Sequence, residues 1–427
     1  MTGEDHIDSY YAATANARSD YPSIAGDLTA DVCVIGGGYT GLATALHLAE
    51  RGFSVVVLEA NRLGWGASGR NGGQICTGLS AGNEPVEAAL GRADARKVFD
   101  ITEEAKTILR ERIARHKIDC DLNWGYVLGA VKDRQLVGLR QYQESLAREY
   151  GYTQTQVLES HDAIREYVNT HAYIGGLIDR GAGHLHPLNY CLGLGRAAAE
   201  AGAQIYEGSR AIAIEEGPKV AVRTTAGAVT ADFLVLAGNA YLGDLVPQIH
   251  GKVMPVGTYV AATTPLGENR ARSLIKDNVA VADCNFVLNY YRLSQDHRML
   301  FGGRVSYSTL MPPNLPHAMR GKMLKVFPEL ADTTFEYTWG GFVAITMERT
   351  PHLGRIGRNV FFAQGFSGQG VAFTAVAGKI MAEAVAGQAE RLDLLARLPH
   401  TTFPGGRLFR TPTLALAMLW YRMRDFL

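Results

Sequence analysis

The run Gly36-Gly37-Gly38-Tyr39-Thr40-Gly41, set between two apolar segments, leaves few folds open to this chain. Asp31 to Ile35 reads as a buried strand, Tyr39 to Arg51 as a helix, Gly52 as its break and Ser54 to Leu58 as a second strand. Together they form a βαβ opening of about 30 residues. In such a unit the first glycine permits the tight turn, the second lets backbone approach a pyrophosphate, and the third lets the helix pack on the sheet. The helix N-terminus then faces the anion. Glu59 comes 23 residues after Gly36, at the end of the second strand, where a carboxylate accepts ribose hydroxyls. These features predict a dinucleotide site.

The 427 residues suffice for more than one core, and 47% hydrophobic with 20% charged residues is the balance of a globular protein. Lys+Arg and Asp+Glu both number 42, so no net field draws nucleic acid or an anionic membrane, and a small-molecule substrate is expected instead. Cys33, Cys76, Cys120, Cys191 and Cys284 are odd in number and widely spaced, with no CxxC, so neither a disulfide framework nor a metal site is expected. The first 30 residues contain no apolar leader, and the cytoplasm is the expected compartment. Leu414 to Tyr421 is apolar but far shorter than the roughly 20 residues of a membrane span. Flanked by Arg422 and Arg424, it is expected to contact the protein itself, a subunit or a membrane surface.

Helical spacing covers Val86 to His116, Arg134 to Tyr150 and Leu188 to Ala201, with a strand at Trp124 to Val131. Gly175 to Pro187 is rich in Gly and His, and short strands follow up to Phe233 to Ala237. From Pro255 to Gly341, runs rich in Tyr, Val and Phe predict an antiparallel sheet, with a hairpin around Ser294 to Arg298. The chain closes with a strand at Val360 to Ala363, the turn Gln364 to Gly370 and an Ala/Val helix to Ala386. The expected class is α/β (α+β overall), a Rossmann-like nucleotide domain with an inserted antiparallel-sheet substrate domain. The expected boundaries are 30–85, 150–245 and 345–390 for the first, 86–149 and 246–344 for the second, and 391–427 for a tail with a short apolar helix.

Three further segments favour FAD over NAD. Trp65 to Gln74 (WGASGRNGGQ) can run close along a long cofactor and bond it through backbone N–H, Ser, Asn and Gln groups. Leu234 to Asn239 ends in small residues able to cover a nucleotide. Gln364 to Gly370 (QGFSGQG) is a strand-to-helix turn that aims N–H groups and a helix dipole at a site of negative charge, such as the N1/C2=O edge of a reduced flavin.

These segments together resemble the glycine oxidase, sarcosine oxidase and D-amino-acid oxidase superfamily of flavoproteins. Ser9-Tyr10-Tyr11, Tyr21-Pro22, Gly64 to Gln74, Tyr290-Tyr291-Arg292, Leu300 to Arg304, Leu398-Pro399-His400, Phe403 to Arg407 and Met418 to Arg422 extend the likeness over nearly the whole chain. They point to the branch acting on gamma-glutamylputrescine. The resemblance implies FAD contacts from Gly36, Gly38, Tyr39, Thr40, Gly41, Glu59 and Ala60, and from Ala67, Ser68, Arg70, Asn71, Gly72 and Gln74. It adds Ala211, Ile212, Ala237 and Gly238, and Gly365, Phe366, Ser367, Gly368, Gln369 and Gly370. Val343 to Thr346 has no cysteine, so noncovalent FAD is expected, with Cys76 as the one conceivable attachment point.

The implied chemistry is hydride transfer from the carbon next to an amine to flavin N5, imine hydrolysis and reoxidation by dioxygen, giving aldehyde, ammonia and peroxide. Arg304 aligns loosely with a lysine that promotes reaction with dioxygen in sarcosine oxidases; a surface ion pair is its alternative. Tyr259, Tyr290, Tyr291, Trp339 and Phe342 are candidates for an aromatic cage or for sheet core. Arg292 is a candidate to hold a carboxylate or to pair with Asp296. His184, His186 and His352 lie nearest the motifs, yet no catalytic base is dictated. Oxidation of another N-substituted or D-amino acid, an NAD-dependent dehydrogenase and a nonenzymatic flavin module stay open as alternatives.

Overall fold

The computed structural model describes residues 4–17, 19–285, 288–306 and 314–404. The tail segment Leu414 to Tyr421 lies outside the described residues. Two sheets organise the chain, and the glycine turn sits at the end of the central strand of the first.

Val32 to Ile35 are buried because the strand Leu28–Ile35 has parallel neighbours on both sides, Ala228–Leu236 and Val55–Leu58. A strand in that position presents no face to water and is apolar throughout. Gln204–Tyr206 extends the sheet parallel beyond Val55–Leu58, and Val360–Gln364 extends it parallel beyond Ala228–Leu236. His352–Ile356 closes that edge antiparallel. The helices Tyr39–Ala49 and Gly370–Val385 cover one face and form the largest core with it. Ala213–Glu215 and Val220–Arg223 form a meander with Ala228–Leu236, and the core on the other face includes Val220 and Val222.

Helix Gly370–Val385 crosses Tyr39–Ala49 at Gly378. A Cβ there would lie 2.5 Å from Ala43 Cβ and 2.7 Å from Thr44 N, so the crossing depends on glycine. The backbone of the first helix is thereby fixed by the second, although more than 300 residues separate them in sequence.

The second sheet runs in the order Phe335–Ile345, Met254–Thr263, Met299–Ser306, Tyr290–Leu293, Ala280–Asp283, Asn123–Ala130, Gly175–His184 and Gln74–Ile75, and Thr155–Leu158 also pairs with Gly175–His184. Its pairs are antiparallel except Ala280–Asp283 with Asn123–Ala130, so the sheet is mixed. The predicted hairpin closes with Leu293 opposite Met299.

Several boundaries differ from the sequence expectation. The strands Thr155–Leu158 and Gly175–His184, expected within the nucleotide domain at 150–245, belong to the second sheet. Glycines obscured the longer one, and they sit where neighbours come close. A Cβ on Gly176 would lie 2.5 Å from the Leu128 carbonyl oxygen and 2.8 Å from Ile164 Cδ1. The single helix expected over Val86 to His116 is two, Glu84–Leu90 and Arg92–Arg115, broken at Gly91 with φ +80°. Gln74–Ile75 carries the end of the WGASGRNGGQ segment into the second sheet, so that segment spans both sheets. Among the described residues no single helix is long and apolar enough to cross a membrane.

Replacing Gly378 with Leu should destabilise the protein by about 1–3 kcal/mol through overpacking at this crossing. Thermal unfolding checks this, and a variant melting at the wild-type temperature would contradict the fixed crossing.

Candidate functional site

The first glycine turn is held by backbone contact. Gly36 has φ +113°, and a Cβ on it would lie 2.9 Å from the carbonyl carbon of Ala237. A Cβ on Gly41 would collide with the Gly36 carbonyl oxygen, which is the close helix packing expected of a third glycine. Gly38 caps the helix with no side-chain hydrogen bond, and its N–H neighbours open onto a cavity. Tyr39 N–H donates to Ser68 Oγ at 3.0 Å, which pins the second glycine-rich segment to the first.

Glu59 accepts from Gly37 N–H at 2.7 Å and from Asn61 N–H at 2.8 Å. Burial raises its carboxyl above the ordinary range, and those two N–H groups oppose the shift. The carboxylate is thus oriented by backbone while retaining lone pairs for hydroxyl donors.

The cavity has a volume of about 310 Å³ and runs from Glu59 past both glycine turns. Of the residues expected to face FAD, it is lined by Gly36, Gly38, Tyr39, Thr40, Glu59, Ala60, Ala67, Ser68, Asn71, Ala211, Ala237, Gly238, Phe366, Ser367, Gly368 and Gly370. Gly41, Arg70, Gly72, Gln74, Ile212, Gly365 and Gln369 are not in its lining. Arg70 turns back on its own segment, with Nε donating to Trp65 O at 2.6 Å and the guanidinium 4.2 Å from the Trp65 ring centre. Ile212 points to solvent, 52% exposed, because the meander begins there. Gly365 instead faces Thr346, whose Cγ2 would lie 2.5 Å from a Cβ.

Residues missed by sequence reading include Asn61, Arg210, Asn239, Tyr241, Val343 and Ala344. Asn239 has φ +48°, and its Oδ1 accepts from Gly365 N–H at 2.9 Å, tying the third strand's end to the second glycine turn. Asparagine tolerates that conformation better than most residues. Its place directly after Gly238 was the available signal. Tyr241 accepts from Phe342 N–H at 3.0 Å and packs its ring between Trp65 and Phe342, with centroids 5.6 and 5.9 Å away.

In the second turn Ser367 is a non-glycine residue at φ +52°. Its N–H donates to Ala344 O at 3.0 Å and its Oγ accepts from Thr346 N–H at 3.2 Å, bonds that hold a costly conformation in place. The helix Gly370–Val385 starts there with no side-chain cap. Two long helices therefore direct uncapped N-termini at one cavity.

The substrate candidates are placed differently from the expected cage. Trp339 is 1% exposed, with its ring against Tyr11 and Nε1 donating to Arg70 O at 3.0 Å. Tyr259 and Tyr291 are buried in sheet core, and Tyr290 packs over Gly72 and Gly302. Arg292 is 2% exposed and donates Nε to Gly72 O at 2.9 Å and Nη2 to Leu185 O at 3.0 Å. It makes no pair with Asp296, which is bonded to Arg298. Phe342 contacts a cavity residue through its ring, Tyr241. Arg304 lies opposite Tyr259 in the sheet register, and its side chain is outside the described residues.

The three histidines each make contacts within the fold. His184 Nε2 lies 2.6 Å from Asn278 O, and His186 Nδ1 accepts from Asn189 N–H at 3.1 Å as a helix cap. Burial, reinforced by Arg292, holds both down to about 3. His352 is likewise held to about 3 by burial, with His400 and Lys252 adding to it.

The cavity suits FAD on its own evidence. It combines uncapped helix N-termini, a carboxylate aimed by backbone, and glycine positions open to a bulky ligand. Arg70 Nη2, Gln74 Nε2 and Gln369 Oε1, on the two segments flanking it, are buried without a hydrogen-bond partner among the described residues. Such groups are normally satisfied.

A first sheet with a parallel centre, a second mixed sheet and this cleft between glycine turns fit an FAD-dependent oxidoreductase. The family model for FAD dependent oxidoreductases matches residues 31–384, and the chain belongs to that family. It is 45% identical over 422 residues to the gamma-glutamylputrescine oxidoreductase of Escherichia coli (strain K12), covering 99% of each chain. Among solved structures it resembles glycine oxidase from Geobacillus kaustophilus, with a TM-score of 0.74 and 21% identity over 88% of this chain and 100% of that one. L-Proline dehydrogenase from P. horikoshii gives a TM-score of 0.73 and 20% identity over 88% and 98%.

Two outcomes are expected. Gly38→Val would place its side chain against Ser68 Oγ, 2.8 Å from the new Cβ, and into the cavity; the purified variant should lose most of its flavin absorbance, and full occupancy would contradict the placement. For the histidines, the folded pKa is below the ordinary 6.5, so the unfolded chain binds more protons between about 3 and 6.5. Their contribution is complete above that window and lost as pH falls through it. His186→Asn keeps a capping oxygen and removes one titrating group, so melting temperature should fall less steeply with acidification than in wild type.

Proposed function

We propose that the chain oxidises the terminal amine of gamma-glutamylputrescine with noncovalently held FAD. The observation that carries this reading is the end-to-end 45% identity with the Escherichia coli gamma-glutamylputrescine oxidoreductase. The first sheet is assigned to the cofactor and the second to the substrate.

In this reading Glu59 holds the ribose, Gly36 to Thr40 and Ser68 hold the pyrophosphate, and Ser367 to Gly370 face the flavin edge. Bound FAD supplies a two-electron acceptor for the C–H bond next to the amine. Noncovalent attachment is supported by Cys76, which lies outside the cavity lining and whose thiol is pushed up to about 12 by burial and then Asp179. A protonated thiol is a poor nucleophile.

The chain's remaining work is selection of the neutral amine and positioning of its carbon. Val343, Ala344, Phe366 and Val371 give the cavity apolar walls near the second turn. An amine entering there is desolvated, and its charged form is disfavoured, which lowers its pKa without a dedicated base. Tyr241 and Phe342 offer ring faces to the approaching group. Arg304 is assigned the cation that favours dioxygen as acceptor.

Anaerobic mixing with gamma-glutamylputrescine should bleach the flavin bands, and admitting air should restore them with peroxide, aldehyde and ammonia released. Bands that persist with this substrate but bleach with another N-substituted or D-amino acid would overturn the substrate assignment. Bleaching without peroxide on reoxidation would overturn the role given to dioxygen.

A further inference from the structure

Among the described residues the FAD cleft is lined by one acidic and one basic side chain, Glu59 and Arg210. Glu59 suits a ribose. Arg210 is exposed, and its guanidinium makes no hydrogen bond or ion pair with any described residue. Backbone contacts fix its place beside the carboxylate. Glu59 N–H donates to Tyr206 O at 2.9 Å, Ser209 N–H to Glu59 O at 2.7 Å and Gly208 N–H to Asn61 O at 2.9 Å. Residues 206–209 therefore run alongside Glu59 to Asn61 and deliver Arg210 to that end of the cleft. Burial raises the Glu59 carboxyl, and Arg210 is among the groups that oppose the rise.

Apolar side chains form the wall here. Leu58 precedes Glu59 and Ala211 follows Arg210; both line the cleft with Leu242 and Leu245, and all four pack in or against one core cluster. An apolar wall beside one unpaired planar cation suits an aromatic ring, because a guanidinium packs on a ring face without needing a hydrogen-bond acceptor. A phosphate at Arg210 would lie beside the Glu59 carboxylate and be repelled by it. The turn Gly36 to Gly41 already offers a phosphate a helix N-terminus. In a dinucleotide the ribose joins the pyrophosphate to the base, so the group to expect beyond Glu59 is the base.

We infer that Arg210 is a cofactor-binding residue that holds the adenine ring of FAD by cation–π packing, opposite the wall of Leu58, Ala211, Leu242 and Leu245. It thereby sets a preference for FAD over FMN, which lacks the adenosine half and gains nothing from this contact. The inference rests on FAD as the cofactor and is independent of the substrate proposed above.

Equilibrium ultrafiltration of the FAD-loaded protein, alone and with ADP or FMN as competitor, tests this in wild type, Arg210→Ala and Arg210→Lys, with released FAD measured by chromatography. Both variants should fold as wild type, because Arg210 is exposed and unpaired. Arg210→Ala should weaken FAD about tenfold and ADP by the same factor, while FMN stays within about twofold of its wild-type affinity. Arg210→Lys keeps the charge but loses the plane, so FAD should remain at least about threefold weaker than in wild type. Unchanged FAD affinity in Arg210→Ala would overturn the inference. So would full recovery in Arg210→Lys, which would mark a charge acting on phosphate, or a loss for FMN equal to that for FAD. Wild-type protein that takes up no FAD would remove the cofactor reading itself, and the inference with it.

Discussion

The close approach of the Gly36 backbone to Ala237 governs the architecture of this protein. It lets the strand Leu28–Ile35 and the strand Ala228–Leu236 end at the same level, side by side, with no side chain between their turns. Asn239 then reaches from the second of these ends to Gly365 and fixes the other glycine turn relative to the first. The crossing at Gly378 fixes the two helices that begin at those turns. Remote segments thus deliver two helix N-termini to one cleft, and their dipoles suit the charge of a dinucleotide or a reduced flavin edge.

The two sheets are joined through the segment that flanks this cleft. Gln74 pairs with His184 in the second sheet, Trp339 bonds the Arg70 carbonyl, and Arg292 bonds the Gly72 carbonyl. Hydrogen bonds to a charged donor contribute more than neutral ones, about 1.5–3 kcal/mol each. Arg292 is therefore a clamp between the second sheet and the segment that flanks the cleft, which explains why a buried guanidinium stands in a strand of otherwise apolar character.

Local features of the site were legible in the sequence because their causes are local. The Gly36 to Gly41 turn, Glu59 at a strand end and Gly365 to Gly370 before a helix each follow from the backbone geometry of a few neighbouring residues. Side chains whose roles depend on distant packing were not legible. Whether Trp339 belongs to a ligand cage or to sheet core, and whether Arg292 holds a carboxylate or pairs with Asp296, is decided only by the fold, and Asn239 and Tyr241 acquire their roles only from partners more than 100 residues away. Gly175–His184 escaped as a strand because its glycines answer to neighbouring strands rather than to strand propensity.

The central claim is that both glycine turns hold a single FAD without a covalent bond. Acid precipitation of the purified protein, followed by flavin analysis of supernatant and pellet, addresses it directly. The account predicts FAD approaching one equivalent per chain, all of it in the supernatant. Flavin retained in the pellet, or protein that neither carries FAD nor takes it up, would contradict it.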